Sequence, residues 1–191
     1  MRLGLGHTRE PRHRASRLAD RYAIFTLLAE GGRMDRSGLG VSKASGIIIG
    51  AGMGGFVDGI LLHQIAHWHN MGSAVVAPVT LETMRQNMMW DGWFHAAVWV
   101  CTLLGIYWLL NDARRGTRLP TPKAFTGLLI TGWGLFNLVE GLMDHHVLGL
   151  HHVRDIPTHV PLYDWLFLAV GGLGFILLGG ALAGDRRDSV A

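Results

Sequence analysis

Cysteine is almost absent from this sequence: Cys101 stands alone. No intrachain disulfide and no CxxC metal or haem motif is therefore available to brace the fold or hold a cofactor. Charge is scarce as well. Asp, Glu, Lys and Arg make up 16% of the 191 residues, against roughly 25% in a typical soluble domain. A Ser-His-Asp arrangement is missing. The glycines between 46 and 59 lack the preceding strand and the following Lys-Ser/Thr that a phosphate loop requires. These absences remove disulfide scaffolds, covalent haem, triad hydrolases and nucleotide-phosphate binding.

Apolar residues take the place of charge. They make up 49% of the chain and fall in four blocks, Gly46–Trp68, Gly92–Leu110, Ala124–Met143 and Leu162–Ala183. Each is about 20 residues long, the length a helix needs to cross a hydrocarbon core of about 30 Å. Helices are the form that satisfies its own backbone in lipid. The expected fold is all-α, a transmembrane four-helix bundle over 46–184, with a basic cytoplasmic or interfacial tail at 1–45 and a cytoplasmic tail at 185–191. Gly46, Gly50 and Gly54, and likewise Ala51, Gly55 and Gly59, form small-residue ridges suited to close helix contact in lipid.

Basic residues are unevenly placed. Residues 1–43 hold nine of the seventeen Lys and Arg, and the 111–123 loop holds four more. The positive-inside rule then puts both termini in the cytoplasm and the loops 70–90 and 144–161 outside. The expected location is the cell's inner, or plasma, membrane, with several passes and lipids as neighbours. The net charge of +3 reflects anchoring, and no nucleic-acid partner is expected. In the tail, Leu18, Tyr22, Phe25 and Ala29 share one helical face and suggest an interfacial helix; the alternative is that translation begins at Met34 and the residues before it are not native. Val79–Trp90 reads as a second interfacial helix. It is rich in methionine, through which its loop packs at the interface or offers soft ligands to Cu(I).

Histidines and carboxylates share three stretches: GFVDGILLHQIAHWHN (55–70), WDGWFHAA (90–97) and EGLMDHHVLGLHHVRD (140–155). Ionisable groups inside a membrane segment cost about 2.5–3.5 kcal/mol each on insertion scales, so they need a partner or a purpose. Counting depth at 1.5 Å per residue puts His63, His95 and Glu140 in one layer, roughly 6–9 Å below the outer surface. His67, Asp91, Asp144, His145 and Asp164 lie nearer the surface, and His151 and His152 fold over them as a lid. Asp58 falls about 140° from the His63/His67 face of an α-helix and is expected to serve another contact. His69, His146 and His159 are assigned to headgroups or water. The expected metal ligands are His63, His67, Asp91, His95, Glu140, Asp144, His145, His151 and His152. Iron or zinc is favoured and copper is a third candidate. The alternatives are a hydrogen-bonded His–carboxylate network without metal and a bis-histidine haem, against which the many nearby carboxylates argue.

The strings GFVDGILLHQIAHWHNM, DGWFHA, GWGLFNLVEGLMDHHVLGLHHVRD and YDWLFLAVGG, in that order, resemble a family of bacterial predicted membrane proteins whose domain has no known function. The resemblance spans roughly Gly46 to Gly180. It implies a four-helix integral membrane protein in which the nine expected ligands, with Asp58, are family-type residues. It also associates the chain with terminal oxidases and copper handling. Two functions follow as expectations. One is a metal-dependent oxidase, hydroxylase or hydrolase acting on a lipid-soluble substrate. The other is non-enzymatic: copper delivery, transport or assembly of a respiratory-oxidase partner.

Overall fold

A computed structural model describes residues 43–184. The two tails, and the interfacial helix expected near Tyr22, lie outside the described residues. The described chain is all-helical, with four helices long and apolar enough to cross a membrane: α1 (Ala44–Ile65), α2 (Leu81–Arg114), α3 (Pro122–Val147) and α4 (Pro161–Ala183). Four crossings return the chain to its starting side and leave the α1–α2 and α3–α4 loops together at the other. Twelve polar residues but only four apolar ones, Ile49, Val98, Leu128 and Val153, are buried among the described residues. Large apolar side chains such as Trp93, Trp99 and Leu177 face outward. This inversion of a soluble core fits lipid as the surrounding medium.

Local chemistry sets the helix boundaries. Thr80 and Thr83 cap the start of α2 reciprocally, each side-chain oxygen accepting the other's backbone N–H at 3.2 and 3.0 Å. Thr121 caps α3, with Pro122 at the first helical position. The expected break between an interfacial helix ending at Trp90 and a span beginning at Gly92 is not found. Residues 81–114 form one helix of 34 residues, about 51 Å long, whose end turns stand beyond the hydrocarbon core. Asp91 does not interrupt it, because its carboxylate is drawn inward by Met71 N and Asn70 Nδ2.

The glycine ridges pack as their spacing requires. A Cβ on Gly50 would collide with the Leu129 backbone of α3, and one on Gly132 with the Ile47 carbonyl of α1. Each contact is the other's counterpart, because Ile47 and Leu129, like Gly50 and Gly132, stand at the 82-residue separation that Ser73 and its hydrogen-bond partner Asp155 also show. The pattern continues outward. Gly52 meets Val98 and Thr102 of α2, whereas Gly134 meets Gly172 and Ile176 of α4. Gly105 of α2 meets Ile49, and Gly179 of α4 meets Thr131. Contacts that recur with partners exchanged define a two-fold relation. The α1–α2 and α3–α4 hairpins are thus parallel repeats about an axis along the membrane normal. Between Asp164 and Gly172 the α4 register slips by one residue relative to α2. The π-helical stretch Phe167–Gly174 accommodates that extra residue.

Candidate metal centre

The site forms where α1 and α3 change from α-helix to π-helix, at Gly59–Ile65 and Gly141–Val147. Ala66 N bonds to Leu61 O and Leu148 N to Met143 O, both i→i−5. The wider turn brings residues five apart over one another. Asp58 therefore meets His63, with 3.1 Å between Oδ2 and Nε2, and Glu140 meets His145 at 3.2 Å from Oε1 to Nε2. The α-helical phase that separates Asp58 from His63 does not hold across this junction.

Past each π-turn the chain reverses through a left-handed residue, His67 (φ 50°) in one repeat and Gly149 (φ 59°) in the other. Two residues later a histidine turns back inward. His69 Nε2 lies 3.8 Å from Asp58 Oδ2, and His151 Nε2 lies 2.8 Å from Glu140 Oε1. Each repeat thus contributes one carboxylate and two histidines: Asp58, His63 and His69, then Glu140, His145 and His151. All six are buried. The sets adjoin on the axis, where the His69 and His151 rings stack with centroids 4.6 Å apart and His63 lies 4.5 Å from His69.

Outer contacts fix the orientation of the rings. His69 Nδ1 donates to Val153 O at 2.9 Å, and His151 Nδ1 to Met71 O at 3.2 Å. A carbonyl only accepts, so both Nδ1 atoms carry the proton and, in the neutral ring, Nε2 is a lone pair. His63 Nδ1 lies 3.0 Å from Asp91 Oδ1, while His145 Nδ1 and Asp164 Oδ1 are 3.6 Å apart. Asp91 and Asp164 are held in turn by Met71 N and Val153 N, each at 2.8 Å. Carbonyl or carboxylate on Nδ1 with Nε2 left free is the arrangement that orients histidine toward a metal.

Inside, the Nε2 atoms of His63, His69 and His145 and Glu140 Oε2 have no hydrogen-bond partner. Lone pairs facing a carboxylate oxygen in a buried space are unfavourable without a cation between them. Two ligand atoms about 2.1 Å from one ion lie about 3.0 Å apart at a right angle and about 3.4 Å apart at the tetrahedral angle. The four separations within the repeats, 3.1, 3.8, 3.2 and 2.8 Å, bracket that range. His63, His69 and His151 also converge closely enough to hold an ion, as do Glu140, His145 and His151. Burial pushes the His69 pKa below the ordinary histidine value. Burial acts the same way on His151, but the hydrogen bond and charge of Glu140 outweigh it and raise that ring's pKa.

The structure sorts the expected residues unevenly. His63, Glu140, His145 and His151 converge, and Asp91 supports His63 from behind. Asp144 is half-buried beside the cluster. His152 joins His159 on Asp164 in a separate group. His67 is exposed, because the left-handed turn swings it away from His63. The expected His63–His95–Glu140 layer does not assemble: His95 Nδ1 returns to Asp91 O of its own helix at 2.7 Å, and its ring packs on Phe56 and Phe94. His151 lies within the cluster and not above it as a lid. Asp58 and His69, assigned elsewhere by spacing alone, lie at its centre. The signal that finds them is the repeated string Asp/Glu-Gly-x3-His-x5-His, at 58–69 and again at 140–151.

Fold and site together define a multi-pass membrane protein of two repeated helical hairpins, with buried His/carboxylate groups able to hold a metal ion on their shared axis. The chain belongs to the family described as predicted membrane protein (DUF2243), whose model matches residues 45–186. No curated protein and no solved structure matches it.

Proposed function

We propose that this protein is an integral-membrane metalloprotein holding one ion per repeat, the first on Asp58, His63 and His69 and the second on Glu140, His145 and His151. The observation that carries this reading is the pair of buried Nε2 lone pairs on His63 and His69, which face Asp58 while their Nδ1 atoms are tied to Asp91 and Val153, with the same carboxylate–histidine grouping repeated at Glu140, His145 and His151. Two histidines and one carboxylate per ion suit iron and zinc. Bound iron would supply oxidation and bound zinc hydrolysis. The chain's own part is to hold the ligands rigid in a water-poor site.

A membrane-dissolved substrate is supported by a break in the repeat symmetry. Beside Glu140, a cavity of about 400 Å³ is lined by Ala51, Phe94, Leu135, Val139, Met143 and Asp144. Its counterpart beside Asp58 holds only about 150 Å³. Trp133 occupies the position there that Ala51 occupies in the open groove, and Leu62 stands where the open groove has Asp144. One ligand set is thus plugged by an indole, while the other borders an apolar groove between membrane helices. A molecule with an apolar tail and a polar end fits that groove.

Elemental analysis of protein purified without a metal-affinity tag tests the centre. Two tightly held ions per chain are expected, falling to one or none in His63→Ala and His145→Ala. A metal-free wild type that takes up no iron or zinc would overturn the reading. Readily exchanging copper that falls with Met84→Leu or Met88→Leu would replace it with metal delivery.

A further inference from the structure

We propose that His152, His159 and Asp164 form a second, outward-facing site for a borderline divalent cation such as Zn²⁺ or Cu²⁺. It adjoins the buried centre through Asp164, whose other oxygen lies 3.6 Å from His145 Nδ1, but does not depend on that centre holding metal. His152 Nδ1 and His159 Nε2 each lie 3.0 Å from the same atom, Asp164 Oδ2. Their rings stack with centroids 3.8 Å apart and planes 15° from parallel, and both nitrogens face the same oxygen. Only the His159 contact is a hydrogen bond, and His152 Nδ1 is buried without one. Two imidazole nitrogens and a carboxylate oxygen are the ligand types that zinc and Cu(II) accept. The Asp164 side chain is almost fully buried, whereas His159 is 38% exposed. An ion can therefore reach the site from solvent and rest against a fixed anion.

The repeat shows that this group is an addition to the scaffold. In the first hairpin Asp91 takes the place of Asp164, and its Oδ2 accepts from Asn70 Nδ2 at 2.7 Å. An amide N–H satisfies that oxygen and offers no lone pair to a metal. In the second hairpin His152 stands where Asn70 does, and His159 stands where the first has Ala77. Both changes replace a residue that cannot bind through nitrogen with one that can. Asp164 Oδ1 meanwhile keeps its structural task, accepting from Val153 N. The oxygen facing outward is the one released for a ligand.

The test is a Co²⁺ titration of the full chain in detergent micelles after stripping with a chelator, followed by visible absorption and by Zn²⁺ competition. One rapidly exchanging equivalent is expected beyond any held by the buried centre. His159→Ala should weaken it at least about tenfold. His152→Asn, which rebuilds the first hairpin's arrangement and so preserves the fold, should remove it. Neither variant should change the slowly exchanging metal, whereas His63→Ala should change only that. If wild type and both variants bind the same number of ions with equal affinity, the outer site does not exist. Loss of the slow equivalents alone would count against the buried centre and leave this proposal standing.

Discussion

Truncating His69 separates the arrangement seen in the structure from the one read off the spacing of histidines. His69 is fully buried, and its ring stands between those of His63 and His151. His69→Ala deletes one Nε2 from the Asp58 set and strands the Val153 carbonyl that Nδ1 satisfied. A buried acceptor left unpaired costs about 1–3 kcal/mol. Altering a mere supporting partner of a metal ligand typically weakens binding 10–100-fold, so removing a ligand should weaken it by at least that factor, about 1.4–2.8 kcal/mol. His67→Ala is the matched control, since His67 is exposed and outside the cluster. The assay is metal content after equilibration with a metal buffer, with helicity and thermal midpoint measured on the same samples. His69→Ala should lose metal and melt lower, and added imidazole should restore part of the metal by filling the space of the lost ring. His67→Ala should match wild type in metal. Full metal in His69→Ala, or equal loss in both variants, would refute the assignment.

Three further outcomes follow from the same geometry. His67→Gly should keep its metal, and its stability should hold or rise by up to about 1 kcal/mol, because a left-handed residue with a Cβ is strained where the other repeat uses Gly149; thermal unfolding in detergent reads this directly. Asp91→Asn places an amide against converging donors from His63, Asn70 and Met71, so metal affinity should drop about 10–100-fold with the fold intact. Ala51→Trp should plug the open groove as Trp133 plugs its counterpart. Photolabelling of residues 135–144 by a diazirine fatty acid in vesicles should then fall while metal content stays constant, and unchanged labelling would remove the groove from the functional picture.

The membrane bundle was legible because length and hydropathy act over whole helices, where a misplaced residue changes little. Gly50 and Gly54 announced close packing for the same reason: a ridge is a repeated signal. Site geometry depends on the phase of single residues, and there the assumption of about 100° per residue failed. Across the π-turn Asp58 returns to the His63 face, so a carboxylate placed on the wrong side by α-helical counting lies 3.1 Å from the ring. His67 looked like the partner of His63 at i+4, yet the helix ends in between and the next inward residue is His69. Glu140 and His63 precede the irregular turns or lie within them, so a count of about 1.5 Å per residue still holds for their depth. His95 fits in depth too, but its Nδ1 is satisfied by its own helix.

Duplication accounts for the common frame, and the departures from it show how the halves divided their tasks. Asp91 and Asp164, Met71 and Val153, and His69 and His151 form matched pairs making matched bonds, as expected of residues that hold a scaffold. Other pairs do not match, among them Ala51 with Trp133, Leu62 with Asp144, Asn70 with His152, and Ala77 with His159. Each of these four differences leaves the Glu140 set more accessible or its surroundings richer in ligands, whereas His95, which meets Gly59 where Leu168 meets Gly141, adds a histidine beside the Asp58 set. Two ions doing identical work would need identical approaches. The Asp58 set, closed off by Trp133, suits an ion that stays in place and fixes the geometry of its neighbour. On the proposed reading, the Glu140 set, between an apolar groove and an outer histidine pair, is where substrate or incoming metal would arrive.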